Sequence, residues 1–259
     1  MSSLQVKSAT RAIEILEFFK GAREPRAMSD IALALGYPQS STTVLLKTLI
    51  ALGYLNFDRG ERLYFPTPKV TALGDWLPRA LFGNTGMLDA MRDVHAATGE
   101  TVSIGTKNDV YMQYLQIIQS VHALRFHVEE GTLRPLTQSA VGWLLLSTIP
   151  DNKLDNIIRR ANIATEKASD RVKIPDMIKR IKQIRQNGYA STENVPFPGG
   201  ATICVLLPVT IHKQPVVLGL GGYNERIRQN FQRYLAVLQR AAKSMRRNDP
   251  FDEPIDIEF

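Results

Sequence analysis

The chain has 259 residues, 44% apolar and 22% charged, with a formal net charge of +7 and a sequence pI near 9.5. That length suits two globular domains, and no apolar run is long enough to span a bilayer. A single cysteine, with no signal peptide ahead of Leu4, excludes an internal disulfide and points to a reducing cytoplasm, while the positive charge suits a polyanionic partner.

Residues 1–5 are expected to be disordered. Residues 8–19 read as an amphipathic helix with Ala12, Ile13, Leu16 and Phe19 as its buried stripe. After a loop over 21–26, residues 28–47 read as two short helices joined by a tight turn. Ser29 is placed to N-cap the first, with Met28 and Leu33 as a hydrophobic staple, and Ile31, Ala32 and Leu35 give it an apolar face. Gly36 supplies a left-handed end and Pro38 turns the chain. The second helix runs from about 40 to 52 and stops at Gly53, with Leu45, Leu46, Leu49 and Leu52 toward the core. Its other side carries Ser40, Thr43, Val44 and Lys47 at i, i+3, i+4, i+7, and Gln39 and Ser41 stand at its start. Short side chains let a helix enter the major groove, where donors and a methyl can meet base edges.

Residues 54–57 and 62–65 alternate around the turn Asp58-Arg59-Gly60-Glu61, the pattern of a hairpin. Leu55, Phe57, Leu63 and Phe65 are expected to close the core of the three helices. Arg59 and Arg62 stand at or near the tip, available to phosphate or the minor groove. Three helices and a basic hairpin make a winged helix–turn–helix over 1–67. The first 75 residues hold nine Lys/Arg against seven Asp/Glu, an excess of two, so DNA affinity must rest on placement and dimerisation rather than on bulk charge.

Residues 68–84 read as a linker helix and hinge: a helix over 69–77 that Pro78 interrupts, then a break over 81–86. Trp76, Leu77, Leu81, Phe82, Leu88 and Met91 give this region apolar surface for self-association. A helix at about 85–97 ends at Gly99. Strands at 101–106, 110–118 and 123–128 then form a meander. Three helices follow: 135–146, with Ala140 and Gly142 in its first turns; 151–162; and one from Pro175 to Asn187, stopped by Gly188, with Met177, Ile181 and Ile184 inward. Strands resume at 189–193, 201–211 and 215–222. A last helix at about 229–246 presents Phe231, Leu235, Leu238, Ala242 and Met245 on one face, before an acidic tail from Asp249 that is expected to fray. Strands before and after a helical segment indicate an α+β domain over 85–259, one antiparallel sheet with helices packed on it.

Several motifs stand in a telling order. They are Lys7-Ser8 with Ile15-Leu16-Glu17-Phe18-Phe19; Ile31-Ala32 with Leu35-Gly36-Tyr37-Pro38-Gln39-Ser40; Leu45-Leu46, Thr48-Leu49, Gly53-Tyr54 and Tyr64-Phe65. In the second half they are Thr98-Gly99-Glu100-Thr101-Val102, Leu124-Arg125-Phe126-His127, Gly131 with Leu133 to Leu136, Gly142, Gly188-Tyr189-Ala190, Pro208-Val209 and Pro215-Val216-Val217. With these, the whole chain resembles the IclR family of bacterial transcriptional regulators. The resemblance implies a winged helix–turn–helix, a linker helix and a GAF-like effector domain, assembled as a dimer or a dimer of dimers. It also implies a double-stranded operator, as an inverted repeat, and a small organic acid, often aromatic or a short keto acid, that tunes DNA binding.

On that resemblance the effector pocket lies between the sheet and the helix starting near Ser139. The N–H groups of Ala140 and Val141 would meet an anion there, as helix N-termini do, and Thr192, Cys204, Leu206, Gly219 and Gly221 belong to the strand side. Three departures bear on this. Thr43 and Val44 stand where the family often has His and Arg, so Lys47 is the one charge on the reading face. Gly219-Leu220-Gly221-Gly222 replaces a Ser-x-Ser-Gly ending, which removes two hydroxyls and leaves room for an aromatic or bulky acid. The acidic pair often found after the Gly-Tyr-Ala strand is Thr192-Glu193, followed by a Pro-rich insertion over 196–200.

Cys204 has no nearby base and reads as a small hydrophobe rather than a nucleophile. His122 and His127, five apart beside one strand, point to opposite faces, and His95 and His212 stand alone, so nothing calls for a metal or a cofactor. The run Arg240-Lys243-Arg246-Arg247 reads as a solvated helix C-terminus. The resulting expectation is a DNA-binding regulator that senses an aromatic or bulky acid and is not an enzyme. Two other readings stay open: a second domain serving assembly alone, and an enzyme acting on a small acid, which would need an acid/base constellation that the sequence does not display.

Overall fold

The computed structural model describes residues 6–83 and 85–245; the expectations for residues 1–5, for Arg246 and Arg247, and for the tail from Asp249 lie outside them. The chain divides into two units, one up to Leu81 and one from Phe82.

The first unit comprises α1 (Lys7–Ala22), β1 (Arg26–Ala27), α2 (Met28–Leu35), α3 (Gln39–Ala51), β2 (Leu55–Asp58), β3 (Leu63–Pro66) and α4 (Lys69–Ala72). Ile15, Phe19, Ile31, Leu46, Leu49 and Leu55 form its core, with Leu16, Met28, Leu35, Leu45, Ile50 and Tyr64 against it. Three expectations need correcting here. Ile13 is 60% exposed and Ile15 fully buried; two apolar stripes overlap on α1, and the one that pairs Ile15 with Phe19 at i, i+4 meets the other helices. Ser29 is no cap: Ala27 holds the N-cap position of α2 without a side-chain bond, because β1 pairs with β3 and delivers the chain straight into the helix. Leu33 is exposed, so no staple forms.

The three strands lie in the order β1-β3-β2, all antiparallel. Asp58 Oδ1 accepts from the N–H groups of Gly60 (2.8 Å) and Glu61 (3.2 Å) and closes the hairpin. Phe57 and Phe65 are exposed, as is Leu52, rather than filling the core. The two rings cover its edge instead: Phe57 lies 4.7 Å from Tyr64 across the strands, and Phe65 meets Phe19 edge-on at 6.2 Å. Beyond the hairpin, Lys69 Nζ donates to Leu52 O at the end of α3 (2.8 Å) and sits 4.9 Å from the Tyr54 ring centroid. Thr67 Oγ1 donates to Gly53 O (2.6 Å). The linker therefore starts fixed to the last turn of α3.

The linker is not one helix broken at Pro78. α4 ends at Ala72, a turn follows, and α5 spans Leu77–Phe82. Pro78 sits in the first turn of α5, where its missing N–H has no intrahelical partner to lose. Leu73 and Trp76, in the turn, are 56% and 60% exposed.

The second unit holds α6 (Met87–Thr98), β4 (Thr101–Asn108), β5 (Tyr111–Ile118), β6 (Leu133–Pro135), α7 (Ala140–Ser147), α8 (Asp151–Ala164), α9 (Ile174–Asn187), β7 (Ala190–Glu193), β8 (Gly200–Ile211), β9 (Gln214–Tyr223), α10 (Asn224–Gln229) and α11 (Phe231–Met245). Its six strands run β6-β5-β4-β9-β8-β7, antiparallel throughout. α6 and α11 cover one face, and α7, backed by α9, covers the other. This is the α+β architecture expected, with four local differences. Residues 123–128 form a loop, not a strand, and β6 takes the edge beside β5. Side chains satisfy the loop in place of a ladder: Ser120 Oγ donates to Gly99 O (2.8 Å) and Gln119 Nε2 to Val128 O (2.5 Å). His122 and His127 therefore sit in that loop. The expected 135–146 helix is a 3-10 turn (Leu136–Gln138) and then α7, with Ser139 as N-cap, its Oγ accepting from Gly142 N–H at 3.0 Å. The last helix is split into α10 and α11, and α11 buries Tyr234 and Ala241 beside Leu235, Leu238 and Met245, in place of Phe231 and Ala242.

Arg185 joins α7 to α8, donating to Ser147 O (2.8 Å), Ile149 O (2.6 Å) and Asp151 Oδ1 (2.6 Å); that hydrogen bond and charge hold the Asp151 carboxyl below its ordinary range. No helix among the described residues is long and apolar enough to cross a membrane.

Candidate functional site

Thr42, Leu46 and Leu49 are the buried residues of α3, and they set its rotation. Gln39, Ser40, Val44 and Lys47 are consequently exposed, with Ser41 and Thr43 half-buried beside them. The hydroxyl hydrogens are spent within the helix: Thr43 Oγ1 donates to Gln39 O (2.8 Å) and Ser41 Oγ to Pro38 O (3.0 Å). What remains available at Thr43 is a methyl and an acceptor oxygen. Arg59 and Arg62 are both exposed on the hairpin, and Arg62 holds a left-handed φ of 58°. The turn before α3 is anchored from α1, since Tyr37 donates to Glu14 and Arg11 lies 4.7 Å from the Tyr37 ring centroid.

In the second unit, register aligns two rows of residues across three strands. Ser103 pairs with Gly219 and Gly219 with Cys204; one step along, Thr101 pairs with Gly221 and Gly221 with Thr202. α7 presses on the first row. A Cβ at Gly219 would lie 3.0 Å from Ser103 Oγ and 3.4 Å from Val141 Cγ2, and one at Gly105 would lie 2.9 Å from Val141 Cγ1. The room expected at Gly219 is therefore already filled. At Gly221 a Cβ would meet nothing closer than Thr202 Oγ1, at 3.5 Å.

The second row lines a cavity: Thr101, Gly221 and Thr202 border it together with Ser103 of the first row and Gly222, and Tyr114, Phe126, Val128, Val195, Pro196 and Phe197 are among its other lining residues. Its empty space is about 500 Å³, counting the part open to solvent. Phe126 and Phe197 stack in parallel, centroids 5.3 Å apart, at 6°. Of the residues anticipated for the effector, Gly221 lines this cavity. Ser139, Ala140, Val141, Thr192, Cys204, Leu206 and Gly219 do not. Thr192 Oγ1 donates to Val195 O (2.9 Å) and so supports one wall. Cys204 is wholly buried, and burial pushes its thiol well above the ordinary value. Thr101, Ser103 and Thr202 were missed. The available signal was the small polar residues at alternate positions of Thr101-Val102-Ser103-Ile104-Gly105, which mark one face of a strand as something other than core.

Two charged groups stand by this site. Burial raises the Tyr114 hydroxyl pKa, and Arg134 beside it partly offsets the rise. Glu100, fully buried, is paired in bidentate fashion with Arg226. A Cβ at Gly222 would lie 2.3 Å from Glu100 Oε2, so the last glycine of the Gly-Leu-Gly-Gly ending makes way for a carboxylate.

A winged helix–turn–helix followed by an α+β unit that cups a small cavity defines a class: one-component, DNA-binding transcriptional regulators. The family model for the IclR helix-turn-helix domain matches residues 8–59, and that for the bacterial transcriptional regulator IclR C-terminal domain matches residues 85–247. The chain belongs to the IclR family. It is 54% identical to the effector domain of the transcriptional regulator IclR from Acinetobacter sp. ADP1, a likeness covering 66% of this chain and 99% of that one, with a TM-score of 0.62. The Thermotoga maritima IclR structure shares the fold at 19% identity, covering 94% of this chain and 98% of that one, with a TM-score of 0.73. The transcriptional regulator KdgR of Escherichia coli K12 is 24% identical over 250 residues, 93% of each chain. These relatives are named as transcriptional regulators, not enzymes.

Proposed function

We propose that this regulator acts in the cytoplasm and binds an inverted-repeat operator with an affinity set by a small organic acid, aromatic or otherwise bulky, seated over Gly221. The observation that carries the effector reading is the cavity itself: a lining of hydroxyls and bare glycine together with aromatic and aliphatic side chains, the mixture that small-molecule sites favour. For the operator, Gln39, Ser40, Ser41, Thr43, Val44 and Lys47 face the major groove, and Arg59 and Arg62 of the wing meet the backbone or minor groove. The strained φ of Arg62 supports that role, because left-handed non-glycine residues persist where the fold over-determines them. The functional divisions fall at 1–67, 68–84 and 85–259, with the linker and the second unit joining two or four chains.

Fluorescence anisotropy of the full chain on an inverted-repeat operator, with and without benzoate or pyruvate, tests this. Benzoate is expected to change operator affinity about 5- to 150-fold, the usual range of allosteric coupling, and pyruvate to do less. A response to pyruvate alone would overturn the bulky-acid reading. No response to any acid, with operator binding intact, would favour a second unit that serves assembly alone.

A further inference from the structure

The geometry points to Arg134, behind the Phe197 and Tyr114 walls of the cavity, as the group that takes the effector's carboxylate, in place of the N-terminus of α7. This rests on the effector reading above and adds the binding chemistry to it.

Arg134 lies opposite Met112 in the β5–β6 pair. Its guanidinium sits 4.7 Å from the Phe197 ring centroid and close enough to the Tyr114 hydroxyl to offset part of that group's pKa rise, and Phe197 and Tyr114 both line the cavity. Its Nε is buried and has no hydrogen-bond partner. A buried, unsatisfied guanidinium nitrogen is costly, and a native fold keeps one where a ligand completes it. Arg134 forms no ion pair with a described carboxylate, and the nearest acidic residues along the chain are committed elsewhere: Glu130 accepts from Gln116 and from Ile117 N–H, and Glu129 meets His127. The cavity residues themselves contribute hydroxyls, backbone and apolar surface but no charge. A planar fork with open donors is the group suited to a carboxylate.

The α7 alternative is weaker. The N–H groups of Ala140 and Val141 have no partner among the described residues, but Val141 lies directly against Gly219 and Gly105, which leaves no space for a ligand in front of it. An acid with its body against Phe126 and Phe197 brings its carboxylate to the Tyr114 side, within reach of Arg134.

Calorimetric titration of the full chain tests this, with benzoate, cinnamate and pyruvate as acids and benzamide as the neutral counterpart of benzoate. Three proteins are compared: wild type, Arg134→Met and Gly221→Leu. Arg134→Met is expected to lose about 10- to 100-fold in affinity for the acid that wild type binds best, the loss ordinary for a hydrogen-bonded charge. Its benzamide affinity and ligand-free melting temperature should stay as in wild type. Gly221→Leu, which fills the cavity, should lose acid and benzamide alike. If Arg134→Met binds acid as wild type does while Gly221→Leu does not, the Arg134 assignment fails and the cavity reading survives. Parallel loss of acid and benzamide by Arg134→Met would mean that the wall has collapsed, and would overturn the assignment. No binding of any of these acids by wild type at millimolar concentration would overturn both.

Discussion

Two glycines of the second unit differ in what their missing side chains protect. At Gly142 an added Cβ would lie 2.2 Å from Leu136 O, a backbone atom that cannot step aside, whereas at Gly221 the nearest neighbours are at ordinary contact distance. Gly142→Ala should therefore destabilise by at least about 1–3 kcal/mol, the cost of overpacking a filled site. Gly221→Ala should melt within a degree or two of wild type. Scanning calorimetry of both variants decides this, and an equal fall in melting temperature would show that Gly221 is also closely packed. Neither difference could be read from the chain. Both glycines sit in apolar runs, and only the position of Leu136 behind α7 and of Thr202 across the strand separates them. Ile13 and Ile15 pose the same problem, since both lie on plausible stripes of α1 and the tertiary neighbours choose.

The helix α3 was the most legible element, though not throughout. Its 100° periodicity puts Leu45, Leu46, Leu49 and Leu52 inward and Ser40, Thr43, Val44 and Lys47 outward; Leu46 and Leu49 are buried and Ser40, Val44 and Lys47 exposed, but Leu45 and Thr43 are half-buried and Leu52, at the helix end, is exposed. The Thr43 hydroxyl, however, donates its hydrogen to Gln39 O, so its contribution to a base contact is an acceptor oxygen and a methyl. Thr43→Val keeps the methyl and removes the acceptor. If the oxygen reads a base-edge amino group, that change should cost about 1–3 kcal/mol at the best operator and relax preference at one base step. Lys47→Ala should weaken all sequences alike and reduce the salt slope by about one. A Thr43→Val protein with unchanged operator preference would leave the methyl as the reading group. The wing was legible as a hairpin but not as a three-stranded sheet, because two residues of β1 carry no periodicity to detect.

The division into two units was legible in the break over 81–86, close to where the chain divides at Leu81 and Phe82, and the α+β character of the second was legible in the switch to strands from Glu100. The cavity was not, because its place depends on which row of the sheet α7 covers, a matter of packing between segments dozens of residues apart. Assembly belongs to this scale too. A single winged domain with an excess of two positive charges holds DNA weakly, and specific sites normally engage two half-sites. Leu73 and Trp76, both more than half exposed, offer apolar surface in the linker, while Phe82 and Met91, expected to share that role, are buried. Replacing Leu73 and Trp76 together by Ser should shift the chain toward monomer in light scattering at micromolar concentration and weaken operator binding, with the fold unchanged by circular dichroism. An unaltered oligomer would place the interface elsewhere.

The bond from Lys69 to the end of α3 bears on dynamic range. One charge-assisted hydrogen bond at an exposed site, helped by the Tyr54 ring, is worth about 2 kcal/mol. Lys69 shares that joint with Thr67, so its own bond accounts for up to roughly thirtyfold of whatever coupling the linker carries to α3, and the rest falls to the Thr67 contacts. A joint made of a few such bonds works as a dimmer rather than an on–off relay: Lys69→Met should narrow the span between the ligand-free and ligand-bound operator affinities in an anisotropy titration, and an unchanged span would show that the Thr67 contacts carry the coupling.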